Sequence, residues 1–121
     1  MNRDLKFRAW DKENKIMREV WSVTWDFSPK IPTTVACNPV INSQYVLHIF
    51  ELMQYTGLKD KNNTPIYEGD IIIMPIDKVG SVEWDENFGR WAYRNKSNSL
   101  VGFSAAYGVE IIGNIYELHT Y

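Results

Sequence analysis

The sequence is short of the residues that carry out chemistry. Its 121 residues hold one cysteine, Cys37, and two histidines, His48 and His119. A lone cysteine excludes an internal disulfide and fits a reducing compartment. Charge of one sign is missing as well: 13 Lys and Arg stand against 15 Asp and Glu, a net −2. No global field then draws nucleic acid or an anionic membrane, although a local basic patch is compatible with that total. No apolar run approaches the ~20 residues that span a bilayer. The opening MNRDLKFRAW has no apolar signal-peptide core. These absences lead us to expect a cytoplasmic protein that keeps no company with membranes. Aromatic residues, by contrast, are abundant: five Trp, seven Tyr and five Phe. Such residues are enriched in strands and at interfaces.

The patterning predicts an all-β, β-rich domain with at most one short helix. Apolar residues at 5, 7 and 9 alternate with Lys6 and Arg8, the period of a half-exposed strand. Asp11-Lys12-Glu13-Asn14 reads as a turn. In Lys15–Phe27 the odd positions Met17, Trp21, Val23, Trp25 and Phe27 form an apolar face, so the first two strands make a hairpin. Residues 28–44, with Pro29, Pro32 and Pro39, read as an irregular loop. YVLHIFELM, residues 45–53, suits either a helix or a strand. IIIMPI, 71–76, suits a strand buried on both faces that ends at Pro75. VGSVEW and FGRWAYR follow as a hairpin around Asp85-Glu86-Asn87, and two further strands close the chain. RAWDKENKIM and VEWDENFGRW echo each other as strand, Trp-Asp, Asn-containing turn, strand. The arrangement expected is an N-terminal β-hairpin packed on a small SH3-like, partly open barrel. All of 1–121 forms one domain, with the hairpin and Pro-rich loop in 1–44 and the barrel-like part in 45–121.

QYTGLKDKNNTPIYEGDIIIM, residues 54–74, has the look of a motif, and three chemistries can be tried on it. As an EF-hand loop it starts with Asp60 and Asn62, but Pro65 stands where Gly is required and Ile71 where a bidentate carboxylate is required. As a phosphate loop it lacks G-x-x-x-x-G-K-[ST]. As a catalytic centre it offers only Glu68 and Asp70, an i, i+2 pair common on exposed strands; His48 lies in an apolar run and reads as a half-buried residue, and His119 sits two residues from the C-terminus. The expectation is no catalytic residue, no metal and no cofactor. Structurally, Asn62-Asn63 can take left-handed dihedrals, and Gly69-Asp70 is a bend feeding Ile71 into the core.

KFRAWDKENKIM, LMQYTGLKDKNNTPIYEGDII, VEWD and IIGNIYEL, in this order, resemble the YopX family of phage and prophage proteins. The resemblance implies a β-rich fold, a phage or prophage origin, hence the host cytoplasm, and homo-oligomerisation. It carries over no catalytic residue. Among the matched positions Gly57, Gly69 and Gly113 supply backbone freedom, and Leu58, Ile66 and Ile115 are expected in the core. Arg8, Trp10, Asp11, Tyr55, Thr56, Asp60, Tyr67, Glu68 and Asp70 are the candidates for binding or interface.

The leading expectation is a non-catalytic accessory protein that acts by binding and assembles with itself; a host protein or small molecule is the further partner. One alternative is a protein that sequesters a nucleotide or other small molecule to blunt a host defence signal, with Arg8 and Trp10 at a subunit junction. The other is a small barrel that binds nucleic acid through Lys78, Arg90, Arg94 and Lys96 with Trp91 and Tyr93, against which the acidic net charge argues.

Overall fold

A computed structural model describes residues 6–24, 34–38, 41–43, 50–76, 78–103 and 108–117, the two short stretches 34–38 and 41–43 by backbone alone. Among these residues the structure is all strand and turn, with no helix, and every strand pairing is antiparallel. The chain divides into two compact units, Leu5–Gln54 and, in the main, Tyr55–Tyr121. The division falls inside strand β5 (Phe50–Lys59).

In the first unit β1 (Phe7–Asp11) and β2 (Ile16–Thr24) form the expected hairpin, with Trp10 opposite Met17. β1 also pairs with the first half of β5, Ala9 opposite Leu52. The ambiguous segment is therefore strand from Phe50 on, and its earlier part lies outside the described residues. The 28–44 loop needs correction. It contains β3 (Thr34–Asn38) and β4 (Ile41–Ser43), giving the order β4-β3-β2-β1-β5. β-Branched Thr34 and Val35 favour the extended chain, and partners on β2 hold it there; the prolines that suggested a loop lie outside the described residues.

The apolar face of β2 is not the odd-numbered one throughout. The register against β3 shifts between Val20 and Ser22, so Trp21 is the extra residue of a bulge and is 60% exposed. Val20 before the bulge and Val23 after it both pack on the core pair Ala9 and Phe50.

The second unit carries an open sheet rather than a closed barrel. Its order is β10 (Leu100–Gly102), β9 (Arg90–Arg94), β8 (Lys78–Asp85), β7 (Asp70–Met74) and β11 (Glu110–Asn114). β6 (Pro65–Tyr67) pairs with the second half of β5. β7 lies between β8 and β11, its consecutive residues Asp70, Ile71 and Ile72 all buried, as its unbroken apolar run suggested, and it ends at Met74 just before Pro75. Ile66, Ile72, Val82, Tyr93 and Val109 form the buried core, with Leu58 packed against it. Ile115, expected in the core, is 43% exposed. The register of β11 slips between Ile111 and Gly113, and this extra residue changes which side chains beyond it face inward.

Candidate functional site

The conspicuous carboxylates of the sequence are turn locks. Asp11 accepts hydrogen bonds from the backbone N–H groups of Glu13 and Asn14, from Asn14 Nδ2 and from Arg18 Nε at 2.8 Å. Burial pushes its pKa up, but the hydrogen bonds from Asn14, Arg18 and Glu13 outweigh burial and hold it at about 2. Asp85 repeats the device in the sister hairpin, accepting from the Asn87 N–H and from Arg90 Nε at 3.3 Å. The fifth residue of each turn is left-handed, Lys15 at φ 58° and Gly89 at φ 59°. The internal echo is thus two hairpins built on one plan.

Asp60 governs the central turn. Its Oδ1 accepts from the N–H groups of Asn62 and Thr64, and its Oδ2 from Ile111 N–H on β11. Burial raises its pKa, yet the backbone donors Thr64, Ile111 and Asn62, with the charge of Lys61, bring it below the ordinary value. Asn63 is left-handed at φ 67°. Asp70 accepts from Tyr67 N–H. Thr56 Oγ1 donates to the Ile66 carbonyl and accepts from Leu58 N–H.

A cavity of about 670 Å³ opens in the second unit, within the range of small-molecule sites. Trp91, Tyr93 and Phe103 supply rings; Leu58, Met74, Pro75 and Val101 supply aliphatic wall. Among the described residues the charges on its lining are Lys78 and Arg90, and no carboxylate lines it. Strand register explains the convergence. Trp91 and Tyr93 alternate on β9 and so share one face, joined across the sheet by Trp84 and Val82 on β8 and by Val101 opposite Tyr93 on β10. Trp84 meets Trp91 edge-on, with ring centroids 5.1 Å apart, and Tyr93 meets Phe103 at 6.4 Å.

Two glycines make room. A Cβ on Gly80 would stand 2.5 Å from the Arg94 carbonyl oxygen and 2.6 Å from the Tyr93 ring, so the ring lies directly over that strand. A Cβ on Gly102 would stand 2.6 Å from Arg90 Nη1, so the guanidinium crosses the edge strand where no side chain obstructs it. Asp85 holds the Nε side of Arg90, and its Cζ lies 4.8 Å from the Phe88 ring centroid. Arg90 Nη1 and Nη2 carry no hydrogen bond among the described residues.

The family model described as YopX protein matches residues 6–118. The chain belongs to the YopX family. A solved structure similar to this YopX chain is "Crystal structure of protein EF1440 from Enterococcus faecalis", at 25% identity and a TM-score of 0.63, with 96% of each chain covered. None of the curated proteins matches the chain.

In this YopX chain the sequence candidates fall in separate places. Trp10 and Asp11 are buried on β1, and Arg8 is half-buried there, opposite Glu19 of β2. Tyr55 and Tyr67 face each other across β5 and β6, rings 5.6 Å apart. Glu68 is half-buried, and Asp60 and Asp70 are buried in their turns. Of the nine, Thr56 alone is among the residues lining the large cavity. That cavity instead gathers Lys78, Arg90, Trp91 and Tyr93, four of the six residues considered for nucleic acid; Arg94 is absent from it and pairs with Glu83 at 2.7 Å. Phe103, Met74 and Gly102 escaped notice. The sequence signal available for Phe103 is its period-two spacing from Val101 on a strand returning beside Trp91 and Tyr93. No three His, Cys, Asp or Glu side chains cluster as a metal site among the described residues, and no described helix is long and apolar enough to cross a membrane.

Proposed function

We propose that this YopX protein acts by binding and not by catalysis, as a phage or prophage accessory protein in the host cytoplasm. The cavity over Trp91 and Tyr93 is its ligand site. One observation carries this reading: a cavity of small-molecule size that combines three aromatic rings with Lys78 and Arg90 and, among the described residues, no lining carboxylate. Such a wall suits a flat ring joined to an anionic group, with the ring stacked or edge-packed and the anion held by charge-assisted hydrogen bonds. Among the described residues the lining offers no nucleophile beside a base. The carboxylates the sequence singled out, Asp11, Asp60 and Asp70, accept hydrogen bonds from turn backbone.

Assembly with further copies of the same chain is part of the proposal. Trp21 at 60% and Phe88 at 73% exposure are large rings that a lone copy leaves in water. Native mass spectrometry of gently purified protein tests both parts. The expected result is a defined oligomer carrying extra mass, and the Arg90→Gln, Trp91→Leu double variant loses that mass. An extra mass indifferent to the double variant would displace the ligand from this cavity, and a bare monomer would refute assembly.

A further inference from the structure

A second cavity, of about 350 Å³, lies beside the first. Lys78, Tyr93 and Val101 line both, and Lys96 and Ser97 belong to the second alone. We infer that the two cavities form one groove for an unpaired chain of two or more phosphodiester-linked nucleotides. This rests on the reading of the large cavity as a ligand site and names the class of ligand.

The argument is the placement of cations and rings along one hairpin. Arg90 opens β9 at the turn end, where it faces Asp85 in register. Lys96 follows β9 at its other end, and Lys78 opens β8 on that same side, because Ser81 pairs with Arg94. The Arg90 guanidinium reaches Gly102, which lies opposite Ala92, and the three steps from Ala92 to Asn95 cover ~10 Å of extended strand. A single phosphate reaches one end of that span; a ligand that engages both ends carries anionic groups well apart. Between the ends, Trp91 and Tyr93 point to the same face ~6.6 Å apart along the strand; the half-buried Trp91 can take a base on its ring, and Tyr93, 4% exposed, backs the wall beside it. Such rings meet base faces, which a duplex keeps stacked inside. Among the described residues no carboxylate lines either cavity. Asp85 is 2% exposed and already accepts from Asn87 and Arg90. Lys78 and Lys96 have no ion pair among the described residues, so their charge is open to an anion. The acidic total of the chain is no obstacle, since the groove gathers cations locally.

Fluorescence anisotropy on the full chain, with labelled dTMP, dT2, dT4 and dT8, rU8 and an eight-base-pair duplex at low salt, tests the inference. The expected result is at least tenfold tighter binding of dT8 than of dTMP or duplex. Lys96→Gln and Arg90→Gln should each weaken dT8, and each should flatten the slope of log K against log salt by about 0.7, one phosphate contact on a single strand. Affinity that is complete at dT2 would support a free dinucleotide as the ligand, and affinity that climbs to dT8 would support a longer strand; both keep the phosphodiester groove. Equal binding of dTMP and dT8 with no effect of Lys96→Gln overturns the groove and leaves the single-cavity reading intact. Duplex bound as well as single strand overturns it too, as does failure of every probe to bind. In that last case the mass carried in native spectra decides the single-cavity reading separately.

Discussion

Asp11 shows how a residue that looks functional in a sequence can be spent on a turn. It is 1% exposed and its partner Arg18 is 5% exposed, with 2.8 Å between Oδ2 and Nε. Removing one member of a buried pair leaves the other charge uncompensated, at a cost of ~3–5 kcal/mol. Asp11→Ala should therefore lower stability by about that much in urea titration, because Arg18 Nη1 already lacks a hydrogen-bond partner and loses its best neighbour. A change below ~1 kcal/mol would mean that the pair is not closed in solution. The same carboxylate sets an acid limit. Its folded pKa of about 2 lies below the ordinary 3.8, so its contribution is complete above pH 4–5 and is lost as the pH falls through the folded value. Asp60, lowered likewise, adds in the same direction. Wild-type stability should fall steadily below pH ~4, and Asp11→Asn should flatten that fall. At this scale the sequence was partly legible. The turn at 11–14, the left-handed Asn63 and the Gly69-Asp70 bend follow from local chemistry. The Arg18 contact with Asp11 and the 51-residue reach from Asp60 to Ile111 N–H depend on strand register, which no local pattern carries.

Elements were legible where period and turn residues agreed, and obscured where a bulge intervened. The two hairpins share an Asp lock and a left-handed fifth residue, but one has Gly89 there and the other Lys15. A left-handed non-glycine residue costs ~1–2 kcal/mol, while glycine costs ~0.5–1 kcal/mol more in unfolded-chain entropy. Lys15→Gly should then stabilise by roughly 0.5–1 kcal/mol, and Gly89→Lys should destabilise by a similar amount, read as shifts in urea midpoint at constant m-value. The same sign for both would show that the hairpins do not share a turn. Gly80 is a stricter case. Its missing Cβ is only 2.5 Å from a backbone carbonyl and 2.6 Å from Tyr93. Gly80→Ala should cost ~1–3 kcal/mol by overpacking and displace the ring that lines both cavities. Gly102→Ala meets instead the flexible end of Arg90. It should spare stability and weaken anion binding, which separates positioning of Arg90 from folding. These close approaches are properties of paired strands, and the single letters G80 and G102 carry no hint of them. The misread 28–44 loop has a related cause, since prolines mark where a strand cannot continue and say little about the residues between them.

At the scale of the whole chain, family membership was the most legible feature, because the matched strings run from the first hairpin to β11. The division within β5 was not, since a strand that leaves one unit and enters the next has no boundary composition to mark it. The units differ in what holds them. Among the described residues the buried apolar side chains of the first are Ala9, Trp10, Phe50 and Met53, flanked by Val20, Val23 and Leu52. The second has eight, Tyr55, Ile66, Ile71, Ile72, Val82, Ala92, Tyr93 and Val109, with a further five partly buried side chains packed against its main cluster. Local opening is easier where few apolar side chains are buried. Hydrogen exchange should therefore protect the amides of β7, β8 and β9 well beyond those of β1 and β2, in spite of similar ladder bonding. Strand β5 is the informative element, because one half pairs with β1 and the other with β6. Amides before Gln54 should exchange with the first unit and those after it with the second. Uniform protection along β5 would show one cooperative structure, in which case a ligand over Trp91 and Tyr93 would stabilise the first hairpin as much as its own unit.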